Sequence, residues 1–254
     1  MTSFQKILYQ VENGIARITL NRPEKKNALD SELISEVKDA VRACAGDENA
    51  RVVLLTGAGT DFCSGADLSG LQRTFDNGPL ENMAEARNMA ELFVEMRRHP
   101  RPIVAAVRGR ALAGGCGLAT AADIILASES AKFGYPEVNI GFVPAMVMAI
   151  LRRSLSEKRA FELITTGETI SGQTAFDFGL VNCLFADETF DLDVDAYVSK
   201  LAAKSASAIT LSKRLLYHMD TMSFEAAIEA GVETNAVARM TADMRKGIEK
   251  FLRK

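Results

Sequence analysis

Histidine is nearly absent from this chain, which has only His99 and His218. Each stands alone in a basic or mixed stretch, which argues against a histidine triad or a histidine-based metal centre. Any catalysis then rests on carboxylates, hydroxyls or backbone dipoles. Cysteine is scarce too. Cys44, Cys63, Cys116 and Cys183 fall at no metal-binding or redox spacing. They read as small hydrophobes in a reducing compartment, so the expected location is cytoplasmic. No apolar run is long enough to span a bilayer. The most apolar stretch, 103–127, is interrupted by Arg108, Arg110 and Asp123, so no membrane association is expected. Residues 1–20 lack the basic start and apolar stretch of a secretory signal. Neither charge sign is in excess. A formal net charge of −3 gives no footprint for nucleic acid, and none is expected as a partner.

What is present fits an α/β core followed by a helical piece. Residues 4–10 and 15–20 read as strands around the turn Glu12-Asn13-Gly14. Asp30 can cap a helix with Leu33, Ile34, Val37, Ala40 and Val41 on one face, closed by Gly46. A buried strand at 51–56 leads into a glycine-rich loop through Gly70. A helix over 81–98 is stopped by Pro100 and Pro102. A strand at 103–107, a glycine turn, a short helix and a strand at 123–127 follow. Beyond Pro144, helical periodicity covers 146–167, 172–178 and most of 192–254, with one short strand at 181–184. Strand–helix alternation and then helices implies two regions, a core over 1–194 and a helical C-terminal region over 195–254.

Two segments carry chemistry. One is Asp61-Phe62-Cys63-Ser64-Gly65-Ala66-Asp67-Leu68. The other, Ala113-Gly114-Gly115-Cys116-Gly117-Leu118-Ala119, follows a buried strand and opens a helix. Consecutive glycines let a ligand approach the main chain. The first N–H groups of a helix have no internal partner and can stabilise an anionic oxygen. Taken alone, Gly114-Gly115 reads better as a tight strand-to-helix turn with glycine for packing.

Together the two segments change that reading. With Asn21-Arg22-Pro23, Asn27-Ala28-Leu29, Phe133-Gly134-Tyr135-Pro136-Glu137 and Ala175-Phe176-Asp177-Phe178-Gly179-Leu180, the chain resembles the crotonase superfamily, the enoyl-CoA hydratase/isomerase family, over essentially its full length. The resemblance implies a spiral of β-β-α turns with a helical C-terminal region that assembles a homotrimer or homohexamer. It implies an acyl-CoA substrate, coenzyme A entering as part of that substrate and no separate cofactor. The oxyanion donors would be the N–H groups of Ala66 and Gly114. Ser64, Gly65, Asp67 and Leu68 would border the adenine and pantetheine, Gly115 would lie against the substrate, and Lys25 or Lys26 would approach the phosphates. Phe251 and Lys254 match residues that touch a neighbouring subunit's nucleotide. The alternatives are a solvated loop pair for the lysines and an ordinary amphipathic end helix for Phe251 and Lys254.

The pattern departs from the family at one telling place. Hydratases of the family use two glutamates; the first aligns with Gly117 and the second with Glu137. Glycine inside a helix costs about 1 kcal/mol relative to alanine, a hint that space beside the substrate is wanted at 117. Glu137 is expected to have a raised pKa and to serve as acid and base. An aspartate used by other branches of the family is replaced by Ala145. Hydration of a 2-enoyl thioester and the shift of a 3-enoyl double bond both stay open. The reading from another class is a non-catalytic acyl-CoA-binding or RNA-binding protein of the same fold.

Overall fold

The computed structural model describes residues 4–253. The chain opens on an antiparallel hairpin, β1 (Ile7–Glu12) and β2 (Ile15–Leu20). Asn13 and Gly14 join them at φ +52° and +82°, the left-handed pair that matches the twist of the flanking strands. β1 starts later than residue 4 because the Gln5 and Lys6 N–H groups are claimed by the Glu36 carboxylate, each at 2.7 Å. α1 (Ser31–Gly46) carries that glutamate, and the Asp30 side chain caps it through the Leu33 N–H. β3 (Val52–Gly57) leads to a short helix, α2 (Leu68–Gln72), within the segment expected as loop. The Asp67 carboxylate, accepting from the Ser69 N–H, starts that helix in spite of Gly70.

The chain continues through α3 (Pro79–Arg98), β4 (Ile103–Val107), β5 (Arg110–Leu112), α4 (Gly114–Thr120), β6 (Ile124–Ser128) and β7 (Lys132–Gly134). A 3₁₀ turn over Pro136–Ile140 precedes α5 (Ala145–Ser154) and α6 (Glu157–Thr166). The helix expected over 146–167 is thus two helices. Leu155 turns extended between them and buries its side chain. β8 (Thr169–Ser171), α7 (Gly172–Asp177) and β9 (Cys183–Phe185) complete the strand-bearing part. The strands β5, β7 and β8 have three residues each, too few for a periodic signal.

Among the described residues, nine strands form two sheets. The larger has the order β1-β2-β3-β4-β6-β9 and the smaller β5-β7-β8. Successive segments visit both: β4 then β5 then α4, β6 then β7 then the helices after it. This is a spiral of β-β-α turns. One side of the large sheet buries Val53, Leu55, Ile103 and Ala105 with α1 and α3. The other buries Val52, Leu54, Val104 and Leu126 against Phe190, Val194 and Val198 of α8 (Phe190–Ala202). The division expected at 194/195 falls inside α8, a helix packed on the sheet.

The helices α9 (Ala206–His218), α10 (Phe224–Arg239) and α11 (Ala242–Leu252) follow. No residue of α10 or α11 is buried. Among the described residues, no helix is long and apolar enough to cross a membrane. α9 is held to the core by charge. The Lys213 ammonium, 8% exposed, donates to Asp123 at 2.6 Å and to the Met96 and Arg101 carbonyls at 3.1 and 3.2 Å. Asp123 also accepts from the Tyr217 hydroxyl and the Ile103 N–H, both at 2.6 Å. Asp220, just beyond α9, binds both Arg97 and Arg153.

Removing one partner of a buried ion pair leaves the other uncompensated, at roughly 3–5 kcal/mol. Lys213→Met should therefore lower the unfolding free energy by about 3 kcal/mol in urea titrations followed by circular dichroism. A loss below about 1 kcal/mol would show that water reaches Asp123 in the folded protein.

Candidate active site

Three segments from successive turns of the spiral lie side by side. Cys63 bridges Ala111 in parallel, and Ala111 pairs with Phe133 in the β5–β7 ladder. Counting forward from this row reaches Ala66, Gly114 and Glu137. The segments are tied further along: the Leu112 N–H donates to the Cys63 carbonyl at 3.0 Å, and the Ala113 N–H to the Gly134 carbonyl at 2.9 Å. Residues remote in sequence therefore arrive together because main-chain hydrogen bonds fix the register.

The two glycine-bearing segments meet closely. Gly65 is buried at φ +99°, and a Cβ there would lie 2.8 Å from the Ala113 Cβ and 3.6 Å from the Gly114 nitrogen. Only glycine allows this approach. On its outer side the 64–67 loop is held by Leu29, whose N–H donates to the Gly65 carbonyl at 2.7 Å and whose carbonyl accepts from the Asp67 N–H at 2.8 Å. Arg22 clasps the same loop through Asp67 at 3.1 Å. That ion pair and the Ser69 hydrogen bonds, Ser69 first, hold the Asp67 carboxyl down to about 2. Ala113 sits at φ +49°, ψ −129°, a conformation that costs a non-glycine residue about 1–3 kcal/mol. It turns the chain sharply from β5 into α4. Among the described residues, neither the Ala66 nor the Gly114 N–H donates to a main-chain carbonyl. Ala66 is exposed and Gly114 half-buried. Both donors are available to a ligand.

Glu137 enters from the third segment. Pro136 starts its 3₁₀ turn, and Gly141 ends it at φ +72°. The carboxyl is buried, and its Oε2 has no hydrogen-bond partner among the described residues. Desolvation pushes its pKa up from the usual 4.5. A carboxyl of raised pKa near unclaimed N–H donors is suited to moving a proton next to a carbonyl whose oxygen those donors hold. Val138, Ile140, Phe142 and Val143 around it leave their apolar surfaces exposed.

Gly117 differs from its expectation. A Cβ there would lie 2.5 Å from Val147 Cγ2 and 3.4 Å from Phe93 Cζ. The space beside it is filled by Val147 of α5, so the glycine permits helix packing instead of leaving room for a ligand. Gly115 is likewise a close-approach position, its added Cβ meeting Cys63 at 2.5–2.7 Å. Lys25 and Lys26 are both exposed, and the Lys26 carbonyl accepts from the Ser64 N–H at 3.0 Å, which brings that loop beside the 64–67 segment. Leu68 is exposed at the start of α2, and Phe251 is exposed on α11. Lys254 lies outside the described residues. Of the apolar side chains that could line an acyl pocket, Met89 is core, while Phe75, Met83 and Phe142 are exposed and Met146 is partly buried. Sequence reasoning missed three features: the strained turn at Ala113, the packing of Val147 against Gly117 and the Arg22 clasp. Arg22 and Asp67 both lie in recognisable motifs, a signal that could have paired them.

The sequence profile described as Enoyl-CoA hydratase/isomerase matches residues 10–254. A Thermus thermophilus protein named as a candidate enoyl-CoA hydratase is 37% identical, over 97% of this chain and 98% of that protein. The 1,2-epoxyphenylacetyl-CoA isomerase of Escherichia coli is 30% identical, over 98% and 95%. The crystal structure of a Mycobacterium smegmatis enoyl-CoA hydratase superposes with a TM-score of 0.93 at 30% identity, covering 98% of this chain and 96% of that one.

The environment of Glu137 has a consequence for stability. Its folded pKa is raised, so the native state binds its proton more tightly than the unfolded chain does. That contribution is full below about 4.5 and is lost as pH rises through the folded value. Glu137→Gln does not titrate. Urea unfolding at pH 7 and pH 4 should show the unaltered protein gaining on this variant toward low pH. A constant difference would mean that the carboxyl is solvated.

Proposed function

Because the chain belongs to the enoyl-CoA hydratase/isomerase family, we propose that Ala66, Gly114 and Glu137 surround the reacting end of an enoyl-CoA thioester. The thioester oxygen accepts from the Ala66 and Gly114 N–H groups, and the charge that develops there makes these bonds strongest in the enolate. One such donor is worth about 3 kcal/mol in comparable sites. Glu137 takes a proton from Cα of a 3-enoyl group, leaving a dienolate. It then returns the proton to C4, giving the 2-enoyl product with no net loss of atoms or charge.

The observation that favours this double-bond shift over hydration is the contact between Gly117 and Val147. A second carboxylate at 117 would need the volume that Val147 occupies. Hydration is better served by two positioned acids, one on the water and one on Cα. Coenzyme A enters as part of the substrate, and the reaction needs no further cofactor. Lys25 and Lys26, exposed on the loop beside Ser64, supply positive charge for its phosphates. The four unpaired thiols suit a reducing, cytoplasmic compartment.

A panel of 2-enoyl- and 3-enoyl-CoA substrates, followed by mass spectrometry, tests this reading. Net conversion of 3-enoyl to 2-enoyl thioester is expected to dominate. Gly117→Glu alone should destabilise the protein by about 1–3 kcal/mol through overpacking. Gly117→Glu with Val147→Ala should recover stability and raise the ratio of hydration to isomerisation. Hydration dominating in the unaltered protein would overturn the proposal.

We also propose that three or six copies assemble through the C-terminal region. Its support is the apolar surface left open there: Phe224 is 77% exposed, Ile228 55%, Val232 58% and Phe251 79%. Faces of this extent are seldom left to water. Sedimentation should give a trimer or hexamer; a species of 27.5 kDa alone would refute assembly.

A further inference from the structure

A chain of buried hydrogen bonds links α4 to the segment before Glu137, outside the parts assigned so far. Tyr135 and Cys116 are wholly buried and Thr120 nearly so. The Thr120 hydroxyl donates to the Cys116 carbonyl at 2.7 Å. It has one proton, so in its 2.9 Å contact with Tyr135 it accepts, and the phenol donates. Cys116 and Thr120 are one turn apart on α4, the helix that begins with Gly114. Tyr135 stands two residues before Glu137.

The same segment is tied to the start of α4 at Gly134, whose carbonyl accepts from the Ala113 N–H at 2.9 Å. A phenylalanine would fill the volume of Tyr135 without an interior hydroxyl, and a buried hydroxyl is tolerated only when it is bonded. What the oxygen adds is a fixed distance between α4 and the start of the 3₁₀ turn.

We propose that Tyr135 is a positioning residue, whose hydroxyl, joined through the Thr120 hydroxyl to the Cys116 carbonyl, sets where Glu137 stands relative to the Gly114 amide. The inference rests on Glu137 being the proton carrier. Transfer of a proton is sensitive to displacement well below 1 Å, whereas binding of the coenzyme A portion is not.

The test is exchange of the α-protons of butyryl-CoA for deuterium in D₂O, read by proton NMR. It needs the acid and the oxyanion donors but neither water addition nor a double bond. Tyr135→Phe should lower the maximal exchange rate roughly 10-fold while leaving the apparent KM within about 2-fold. Thr120→Val should do the same, and the double variant should be little slower than either single one. Thr120→Ser, which keeps the hydroxyl, should exchange at close to the native rate and guards against a Tyr135 variant that folds poorly. A lower melting temperature with native-rate exchange in both Tyr135→Phe and Thr120→Val would overturn the inference. If Glu137→Gln exchanged like the unaltered protein, or the unaltered protein did not exchange at all, the proton-carrier reading would fall and this inference with it.

Discussion

The register between successive turns of the spiral is the constraint on which the rest depends. A row of main-chain partners, Cys63 to Ala111 to Phe133, holds three distant segments abreast. Ala66, Gly114 and Glu137 each lie a few residues beyond that row, so the register of the row sets where their main-chain and side-chain groups stand. The conformation at Ala113 is affordable only because the bonds on either side of it are already fixed.

The site balances two electrostatic environments a short way apart. On the Asp67 side, Arg22 and the Ser69 donors keep a carboxylate ionised and locked into structure. On the Glu137 side, burial leaves a carboxyl without a partner and raises its pKa. The first serves to hold a loop; the second is free to exchange a proton. The two carboxyls thus shift in opposite directions, one lowered by the Ser69 hydrogen bonds and the Arg22 cation, the other raised by desolvation.

Much of this was legible in the sequence. The hairpin, the Asp30-capped helix, β4 and the glycine-led α4 follow from local turn and cap chemistry and from periodicity. The β5, β7 and β8 strands were not legible, because three residues carry no period and their pairing is entirely non-local. The same limit applies to the site. Glu137, Ala66 and Gly114 sit in motifs that can be read along the chain. Whether position 117 faces open space or Val147 depends on how α5 packs over α4, thirty residues on, and no local pattern encodes that. Tyr135 looked like part of a motif leading to the acid; only the fold places its hydroxyl against α4.

Register fixed row by row also separates tolerance from function. The connections that leave the row and return, such as 68–102 and 138–168, are not part of the ladder that aligns Ala66, Gly114 and Glu137. Insertions or deletions in them change what surrounds the site without breaking the main-chain bonds that align these three residues. A single residue added between Cys63 and Ala66, or between Ala111 and Gly114, would do the reverse. Loops can therefore lengthen and vary while the Ala66 and Gly114 amides stay where the ladder holds them.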